Sequence, residues 1–177
     1  MKSDLDKVIA VLKFLEINPN VNSYFGRFII QKVAFLAQAL GIDIKYCFTI
    51  YVAGPYSPTL AHDYYTYQDR VATLQSDYSL SEEEAQKLVP LKRNIDLFTS
   101  ISNYQLLEST ATAVYLMREY PEIEDDEIIM KVRALKPYLT DELIILGMNR
   151  AKRLLFKPEY LTEKLKKEID EWDRIDD

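Results

Sequence analysis

His62 and Asp63 are the one place in the sequence where a candidate general base stands beside a carboxylate. Ser57 and Pro58, just before them, are typical of a helix start, whose free N–H groups can hold an anion. Consecutive side chains on a helix point about 100° apart, so His62 and Asp63 do not form a base and its orienting partner. Stabilisation of the helix dipole by Asp63 is the stronger interpretation, and we assign no catalytic residue.

Other signatures of catalysis or metal binding are missing from the sequence. It has no Gly-rich phosphate loop, no metalloprotease helix and no GxSxG nucleophile motif. One histidine and one cysteine, Cys47, are too few for the usual zinc sites, and a lone cysteine cannot form a disulfide within the chain. We therefore expect no metal, no cofactor and a reducing compartment.

Tyrosines crowd around Gly54-Pro55-Tyr56-Ser57-Pro58, one segment of a chain that holds 13 of them. Aromatic rings can stack on nucleic-acid bases, but residues 56–69 contain no Lys or Arg, so core or interface packing is the better interpretation. On one helix Tyr64 and Tyr67 would share a face and Tyr65 would not. We therefore expect at least one ring to remain exposed and to belong to a self-association or partner-binding patch.

Basic residues concentrate in the C-terminal third, where residues 128–160 hold seven positive side chains against three negative ones. Half of these cations fall in last helical turns, where they offset the helix dipole, so a solvated face is the favoured interpretation. The alternative is a salt-sensitive nucleic-acid site with little sequence preference, formed by Lys131, Arg133, Arg150, Lys152 and Arg153.

The composition is typical of a globular protein: 177 residues, 48% of them hydrophobic, and a formal net charge of −6. Net acidity argues against broad attraction to nucleic acid or to anionic membranes. The longest apolar stretch, residues 28–42, is interrupted by Gln31, Lys32 and Gln38 and is shorter than the roughly 20 residues of a bilayer span. We expect a cytoplasmic protein.

The elements that must position these residues follow from periodicity and caps. Apolar residues at helical spacing predict helices, and the alternation of residues 44–52 predicts a strand. Tyr78 and Leu80 predict a short second strand, and Ser81 with Glu84 forms a capping box. Pro90 should end or kink the helix that starts at residue 82, and a further helical piece follows it over residues 95–98. The other predicted helices cover residues 5–15, 27–40, 59–74, 103–120, 124–135, 140–155 and 159–175.

This order of elements predicts a mainly α fold. A winged-helix-like N-terminal half, with a short β-hairpin or strand pair, would pack on an all-helical C-terminal half. Residues 59–74 would occupy the position of the recognition helix, and residues 78–80 would begin the wing. No linker separates the halves, so we expect one compact domain over residues 1–177, with a winged-helix-like lobe over 1–100 and a helical lobe over 101–177.

Four segments are similar to a known family. They are residues 27–36 (RFIIQKVAFL), residues 46–57 (YCFTIYVAGPYS) with Leu60 and Asp63 after them, residues 107–116 (LESTATAVYL) and residues 132–137 (VRALKP). Over about residues 25–155 the chain resembles the YwgA-like proteins and the related Panacea (SocA-like) antitoxin domain, although Val33-Ala34-Phe35 replaces the more usual Leu-x-Tyr. The resemblance implies a mainly helical prokaryotic protein, without established catalysis, that acts through protein partners in toxin–antitoxin or related regulation.

Two hypotheses about function follow. In the first, the chain is a non-catalytic, antitoxin-like interaction module that binds a toxin-like partner or a second copy through Tyr51, Gly54, Pro55, Tyr56, Ser57, Asp63, Tyr64, Tyr65 and Tyr67. In the second, it is a winged-helix DNA-binding regulator, whose recognition helix should present Arg, Lys, Asn or Gln to the groove. The helix predicted over residues 59–74 is about neutral, so we rank the interaction module first.

Overall fold

Nine helices and a two-stranded antiparallel sheet make up the structure, a computed structural model that describes residues 4–100 and 103–156. The predicted fold class is confirmed, because these residues are mainly helical and contain one strand pair. The helix predicted over residues 159–175 lies outside the described ranges. So does Ser102, which with Gln105 has the spacing of a capping box before the helix predicted over residues 103–120. None of the helices described is both long and apolar enough to cross a membrane. In chain order the elements are α1 Asp4–Phe14, α2 Tyr24–Ala39, β1 Thr49–Tyr51, β2 Gly54–Tyr56, α3 Pro58–Thr66, α4 Gln68–Ala72, α5 Glu82–Arg93, α6 Ile95–Thr99, α7 Tyr104–Glu119, α8 Asp125–Leu135 and α9 Asp141–Leu155.

Helix α2 is the central helix, as its apolar sequence predicts. Phe28, Ile30, Val33 and Leu36 lie at successive angles around it, and all four side chains are buried. The helix packs against α1, α3, α5 and α7 and against strand β2. Buried apolar side chains from α1 through α9 join in one cluster around it, so the front and back halves of the described chain share a core.

Side-chain N-caps start several of the helices at the positions that the sequence predicts. Ser57, Ser81 and Thr140 accept hydrogen bonds from the N–H groups of the first turns of α3, α5 and α9. In the reciprocal bond the Ser81 N–H donates to the Glu84 carboxylate, which confirms the capping box. At Ser57 the cap joins the hairpin directly to α3, so it fixes how the chain leaves the sheet.

The strand pair lies elsewhere than predicted. Strand β1 covers only the end of the predicted strand over residues 44–52, and its partner is β2, the Gly54–Tyr56 segment itself. Residues 78–80 form no strand, because Ser76 and Tyr78 are held by side-chain bonds to Asp6 O and Glu84. The hairpin therefore precedes α3 instead of following it, which corrects the predicted position of the wing.

The helix predicted over residues 59–74 is divided in two at Tyr67. Helix α3 ends at Thr66, whose hydroxyl donates to the His62 carbonyl at 2.8 Å, a side-chain bond that competes with regular helix propagation. Tyr67 leaves helical geometry and α4 begins at the next residue. As a result Tyr64 is buried and Tyr67 is exposed, so the prediction that they share a face is wrong.

Helix α5 continues through the proline that was expected to end or kink it. It includes Pro90 and ends at Arg93, and Asn94 donates its side-chain N–H to the Pro90 carbonyl at 2.9 Å. A proline removes one helical hydrogen bond and crowds the preceding turn. Packing of Leu88 and Leu91 in the core holds the helix on both sides of that defect.

Among the helices that the structure describes, α7 and α9 share the most extensive contact, and a glycine makes their close approach possible. A Cβ on Gly147 would lie 2.2 Å from Ser109 Oγ and 2.8 Å from the Ser109 carbonyl carbon. Ala113 of α7 and Ala151 of α9 are each one turn on from this contact, and both are buried. Small side chains thus bring the two backbones together behind the hairpin.

We expect Gly147→Ala to lower the free energy of unfolding by about 2 kcal/mol, because overpacking of about 3 kcal/mol exceeds the gain of about 1 kcal/mol in helix propensity. Ser109→Ala is the matched control. Its buried hydroxyl has no hydrogen-bond partner among the described residues, so its removal should change stability little. Urea titrations measure both variants, and a Gly147→Ala protein as stable as wild type would contradict the close approach.

Candidate functional site

The hairpin formed by β1 and β2 is exposed along its outer strand and at its turn. Strand β2 packs against α2 and α7, whereas β1 makes its main contacts with β2. Val52 and Ala53 form the two-residue turn, and the Val52 side chain is 81% exposed. The inner strand is therefore anchored and the outer strand and turn face solvent.

Three buried charged side chains lie beneath the hairpin, and two of them, both lysines, bind its main chain. Lys32 of α2 donates its ammonium to the Pro55 carbonyl at 2.8 Å. Lys136, just after α8, donates to the Tyr51 carbonyl at 2.6 Å and to the Val52 carbonyl. Its Nζ also lies 3.4 Å from Oε1 of Glu108, on α7. We call Lys32, Glu108 and Lys136 the charged cluster; all three are almost completely buried.

Burial dominates the electrostatics of the charged cluster. It lowers the pKa of Lys32 to about 7; attraction to Glu108 opposes this fall, and repulsion from Lys136 adds to it. It also lowers the pKa of Lys136, again against the attraction of Glu108. Two lysines share a single carboxylate here, so the main-chain carbonyls of the hairpin must supply the remaining stabilisation of their ammonium groups.

Tyr138 closes the charged cluster at the surface. Its hydroxyl carries one hydrogen and lies between two acceptors, the Glu108 carboxylate and the Val52 carbonyl, whose oxygen is 2.9 Å away. Burial and the bond to Glu108 raise the pKa of the Tyr138 hydroxyl far above its ordinary value, so it stays protonated. The ring itself remains about half exposed. One tyrosine thus connects the buried charges to the exposed turn.

The Gly54-Pro55-Tyr56-Ser57 segment is fixed through its backbone. Gln31 of α2 donates to the Ser57 carbonyl at 2.9 Å and accepts from the Ser57 N–H at 2.8 Å. Gly54 has a φ of 89°, and a Cβ there would lie 3.1 Å from Thr112 Oγ1. Only glycine combines that backbone angle with such a close approach to α7 at low cost.

Exposed aromatic side chains surround this anchored hairpin. The Tyr51 ring lies 5.1 Å from that of half-buried Tyr56. Tyr24 and Tyr104 both contact Phe28, at ring distances of 6.4 and 6.0 Å, and both interact electrostatically with Tyr138. We define the aromatic face as the exposed side chains of Tyr24, Tyr51, Val52, Tyr65, Tyr104 and Tyr138.

Tyr65 joins the aromatic face through buried neighbours. Its ring lies 4.9 Å from that of Tyr64, and the Arg27 guanidinium lies over it at 6.0 Å. Tyr64 in turn interacts with Tyr56 and Gln31, and its burial raises the pKa of its hydroxyl to about 12. The aromatic face is therefore continuous with the packing around the GPYS segment.

The structure separates the predicted interaction residues into supporting and exposed ones. Tyr51, Tyr65 and Tyr67 are exposed, Tyr56 and Asp63 are partly buried, and Gly54, Pro55, Ser57 and Tyr64 are buried. Asp63 is occupied, because its carboxylate accepts the Tyr46 hydroxyl at 2.6 Å. His62 is exposed, and its Nε2 lies 3.5 Å from the Thr66 hydroxyl.

The basic residues of the nucleic-acid alternative are divided between α8 and α9. Arg133 forms an ion pair with Asp141 at 2.8 Å, and Lys152 is buried in an ion pair with Asp125. Arg150 donates to the Asn94 side chain at 3.0 Å. Lys131 lies over the Tyr120 ring, and Arg153 is half-buried on α9. Most of this charge is thus engaged within the protein.

Sequence reasoning missed the charged cluster and most of the aromatic face. Lys32 and Glu108 each stand inside an apolar helical run, and such an isolated charge is a signal of a buried, paired group. Lys136 gave no comparable signal, because it sits in a basic stretch typical of a solvated surface. Tyr24, Tyr104 and Tyr138 are far from the GPYS segment in sequence, and only the fold brings them to it.

Comparisons with known proteins give no relative from which a function can be transferred. No family model, no curated protein and no solved structure matches the chain. The resemblance to the YwgA-like and Panacea families thus remains a prediction. No three His, Cys, Asp or Glu side chains within the described ranges are grouped so that they could hold a metal ion.

Two substitutions test the geometry of the GPYS segment. Ser57→Ala should cost about 1 kcal/mol of stability, because it removes the N-cap of α3. Gly54→Val should cost more, at least about 2 kcal/mol, because a β-branched residue would be strained at that φ and would press on Thr112. Thermal and urea unfolding provide the measurement, and a ranking in the opposite order would refute the role assigned to Gly54.

A pH series tests the burial of Lys32. Its pKa falls from 10.5 in the unfolded chain to about 7 on folding, so between these pH values only the unfolded chain binds the proton. Stability should therefore rise with pH in this window, by about 1 kcal/mol per pH unit from this group. Lys32→Met should remove that slope, whereas Lys87→Met, at a surface lysine paired with Glu83, should retain it. Equal slopes in wild type and Lys32→Met would show that Lys32 titrates normally.

Proposed function

We propose that this chain is a non-catalytic protein-interaction module that binds a partner protein through its aromatic face. The observation that carries the proposal is the set of exposed rings around a hairpin whose main chain is tied down by the charged cluster. Isolated exposed aromatics are common on protein surfaces, but a connected set of this size is not. Interfaces are enriched in tyrosine because one ring combines apolar area with a polar hydroxyl.

The rigidity of the site supports binding in preference to a purely structural role. Lys32, Lys136 and Tyr138 fix the carbonyls of both strands and of the turn. A surface that is already ordered loses little conformational entropy when a partner binds, so more of the contact energy appears as affinity. Tyrosine adds to this advantage, since only two side-chain torsions must be fixed.

The resemblance to the YwgA-like and Panacea families indicates which kind of partner the aromatic face would bind. The segments that carry this resemblance contain the hairpin, Lys32, which binds the hairpin main chain, and Glu108, which pairs with Lys136. In the YwgA-like and Panacea context the partner is a toxin or a related regulatory target, and the module acts in the cytoplasm. The DNA-binding alternative receives less support, because α3 carries no Lys or Arg and the basic residues of α8 and α9 are largely paired.

We expect the double substitution Tyr24→Ser with Tyr65→Ser to weaken partner binding at least about 10-fold, since exposed tyrosines are frequent hot spots. The matched control is Tyr120→Ser with Met130→Ser. It removes side chains that are 51% and 62% exposed outside the aromatic face, against 65% for Tyr24 and 54% for Tyr65. Both doubles should fold like wild type.

The measurement begins with the product of the gene adjacent to that of this chain, tested by co-purification and then by calorimetry. Quantitative cross-linking in the source cells extends the search to other proteins. A partner bound by wild type and by the control, and weakly by the Tyr24/Tyr65 variant, would support the proposal. Equal binding by the two doubles would reject the aromatic face as the site.

A further inference from the structure

The hairpin covers Lys32 directly. Strand β2 packs on α2, and a Cβ on Gly54 would lie 3.4 Å from Lys32 Cε. Lys32 Nζ donates to the Pro55 carbonyl at 2.8 Å, and the residue is almost completely buried. Because strand β2 forms this cover, opening of the hairpin would let water reach the Lys32 amine.

The hydrogen bonding around Lys32 favours its neutral amine. An ammonium group carries three N–H donors, and the Pro55 carbonyl is the one acceptor that the described residues offer to Lys32. The Phe28 ring, 5.0 Å from Nζ, supplies a cation–π contact but no further acceptor of that kind. A proton on Lys32 would therefore leave two N–H donors buried without a hydrogen-bond partner, at a cost in free energy.

The charges beneath the hairpin also balance only when Lys32 is neutral. Glu108 forms an ion pair with Lys136, at 3.4 Å, and no second carboxylate of the described residues pairs with Lys32. Strand β2 contributes Tyr56 and no charged side chain. The other titratable side chains that interact with the cluster are tyrosines: Tyr24, Tyr104 and Tyr138. A charged Lys32 would thus add an uncompensated positive charge to a buried site.

Opening of the hairpin and uptake of a proton are therefore linked. In the closed structure burial lowers the pKa of Lys32 from 10.5 to about 7, against the attraction of Glu108 and together with the repulsion of Lys136. Once water reaches the amine, its pKa returns towards the ordinary value. Between these two pH values the open form binds a proton that the closed form lacks, so a fall in pH favours opening.

We propose that the hairpin is a proton-linked switch: it closes over the neutral amine of Lys32, and protonation of Lys32 favours an open hairpin. Opening displaces Tyr51 and Val52, two members of the aromatic face, and breaks the bonds from Lys136 to their carbonyls. The binding surface is thus ordered in alkaline solution and loosens as the pH falls towards 7. The effect on partner binding rests on the proposed function, whereas the opening itself does not.

Hydrogen exchange of the free protein measures the opening. The amides of Tyr51 and Tyr56, one on each strand, report on the hairpin, because a two-stranded hairpin released from its support is marginally stable in water. The amide of buried Val114, in α7, reports on global unfolding. Exchange is followed from about pH 7 to about pH 9, and each rate is divided by that of the unstructured chain at the same pH.

Two variants are compared with wild type. Lys32→Met removes the titrating amine and keeps an unbranched side chain, and Lys87→Met, at the surface lysine paired with Glu83, is the control. We expect the hairpin amides of wild type to exchange through a local opening that becomes about 50-fold rarer over this pH range. Lys87→Met should show the same change, and in Lys32→Met it should largely disappear.

Three results would each overturn the inference. They are exchange of the hairpin amides only through the global unfolding that Val114 reports, equal pH dependence in Lys32→Met and Lys87→Met, and titration of Lys32 near 10.5 in the folded wild type, measured by ¹⁵N NMR of its Nζ. The NMR titration needs no variant, so it decides the question even if Lys32→Met does not fold. If the switch fails while the Tyr24/Tyr65 double variant loses its partner, the proposed function stands. If the switch is found while that double variant binds normally, the proposed function fails and the switch stands.

Discussion

The buried charged cluster is the constraint on which the hairpin depends. Three charges in a core impose a large desolvation cost, and one carboxylate cannot offset two ammonium groups. The carbonyls of Tyr51, Val52 and Pro55 complete the hydrogen bonding of the lysines. A two-stranded hairpin is marginally stable by itself in water. The lysines therefore stabilise the hairpin, and its carbonyls accept the hydrogen bonds that the buried ammonium groups require. Through these bonds a hairpin that would be unstable by itself can present exposed side chains in fixed positions.

Local signals predicted the helices well, and pairing signals did not predict the sheet. Ser57, Ser81 and Thr140 start helices because a cap is decided within four residues of sequence. The alternation of residues 44–52 predicted a strand that the structure forms only at Thr49–Tyr51, and alternation does not say which segment will be its partner. The tight turn at Val52 and Ala53 pairs β1 with Gly54–Tyr56 and not with residues 78–80.

The aromatic face was predictable only where its residues are close together in sequence. The crowding of tyrosines around the GPYS segment picked out two rings of the aromatic face, Tyr51 and Tyr65, but not the hairpin that this segment forms. The helix break at Tyr67 and the burial of Tyr64 depend on packing, so the sequence pattern misassigned their common face. Tyr24, Tyr104 and Tyr138 come from α2, α7 and the turn after α8, and no local pattern relates these three positions.

The bonds from Lys136 to the turn join residues that are 84 and 85 positions apart in the chain. The two strands of the hairpin are adjacent in sequence, but Lys136, which binds its turn, is synthesised only after α7 and α8. During translation, residues 49–56 would emerge from the ribosome long before Lys136, so the bonds from Lys136 to the turn could not yet form. A nascent or truncated chain that stops before residue 136 would therefore display a loose hairpin, and the ordered binding surface would exist only once synthesis had passed that point.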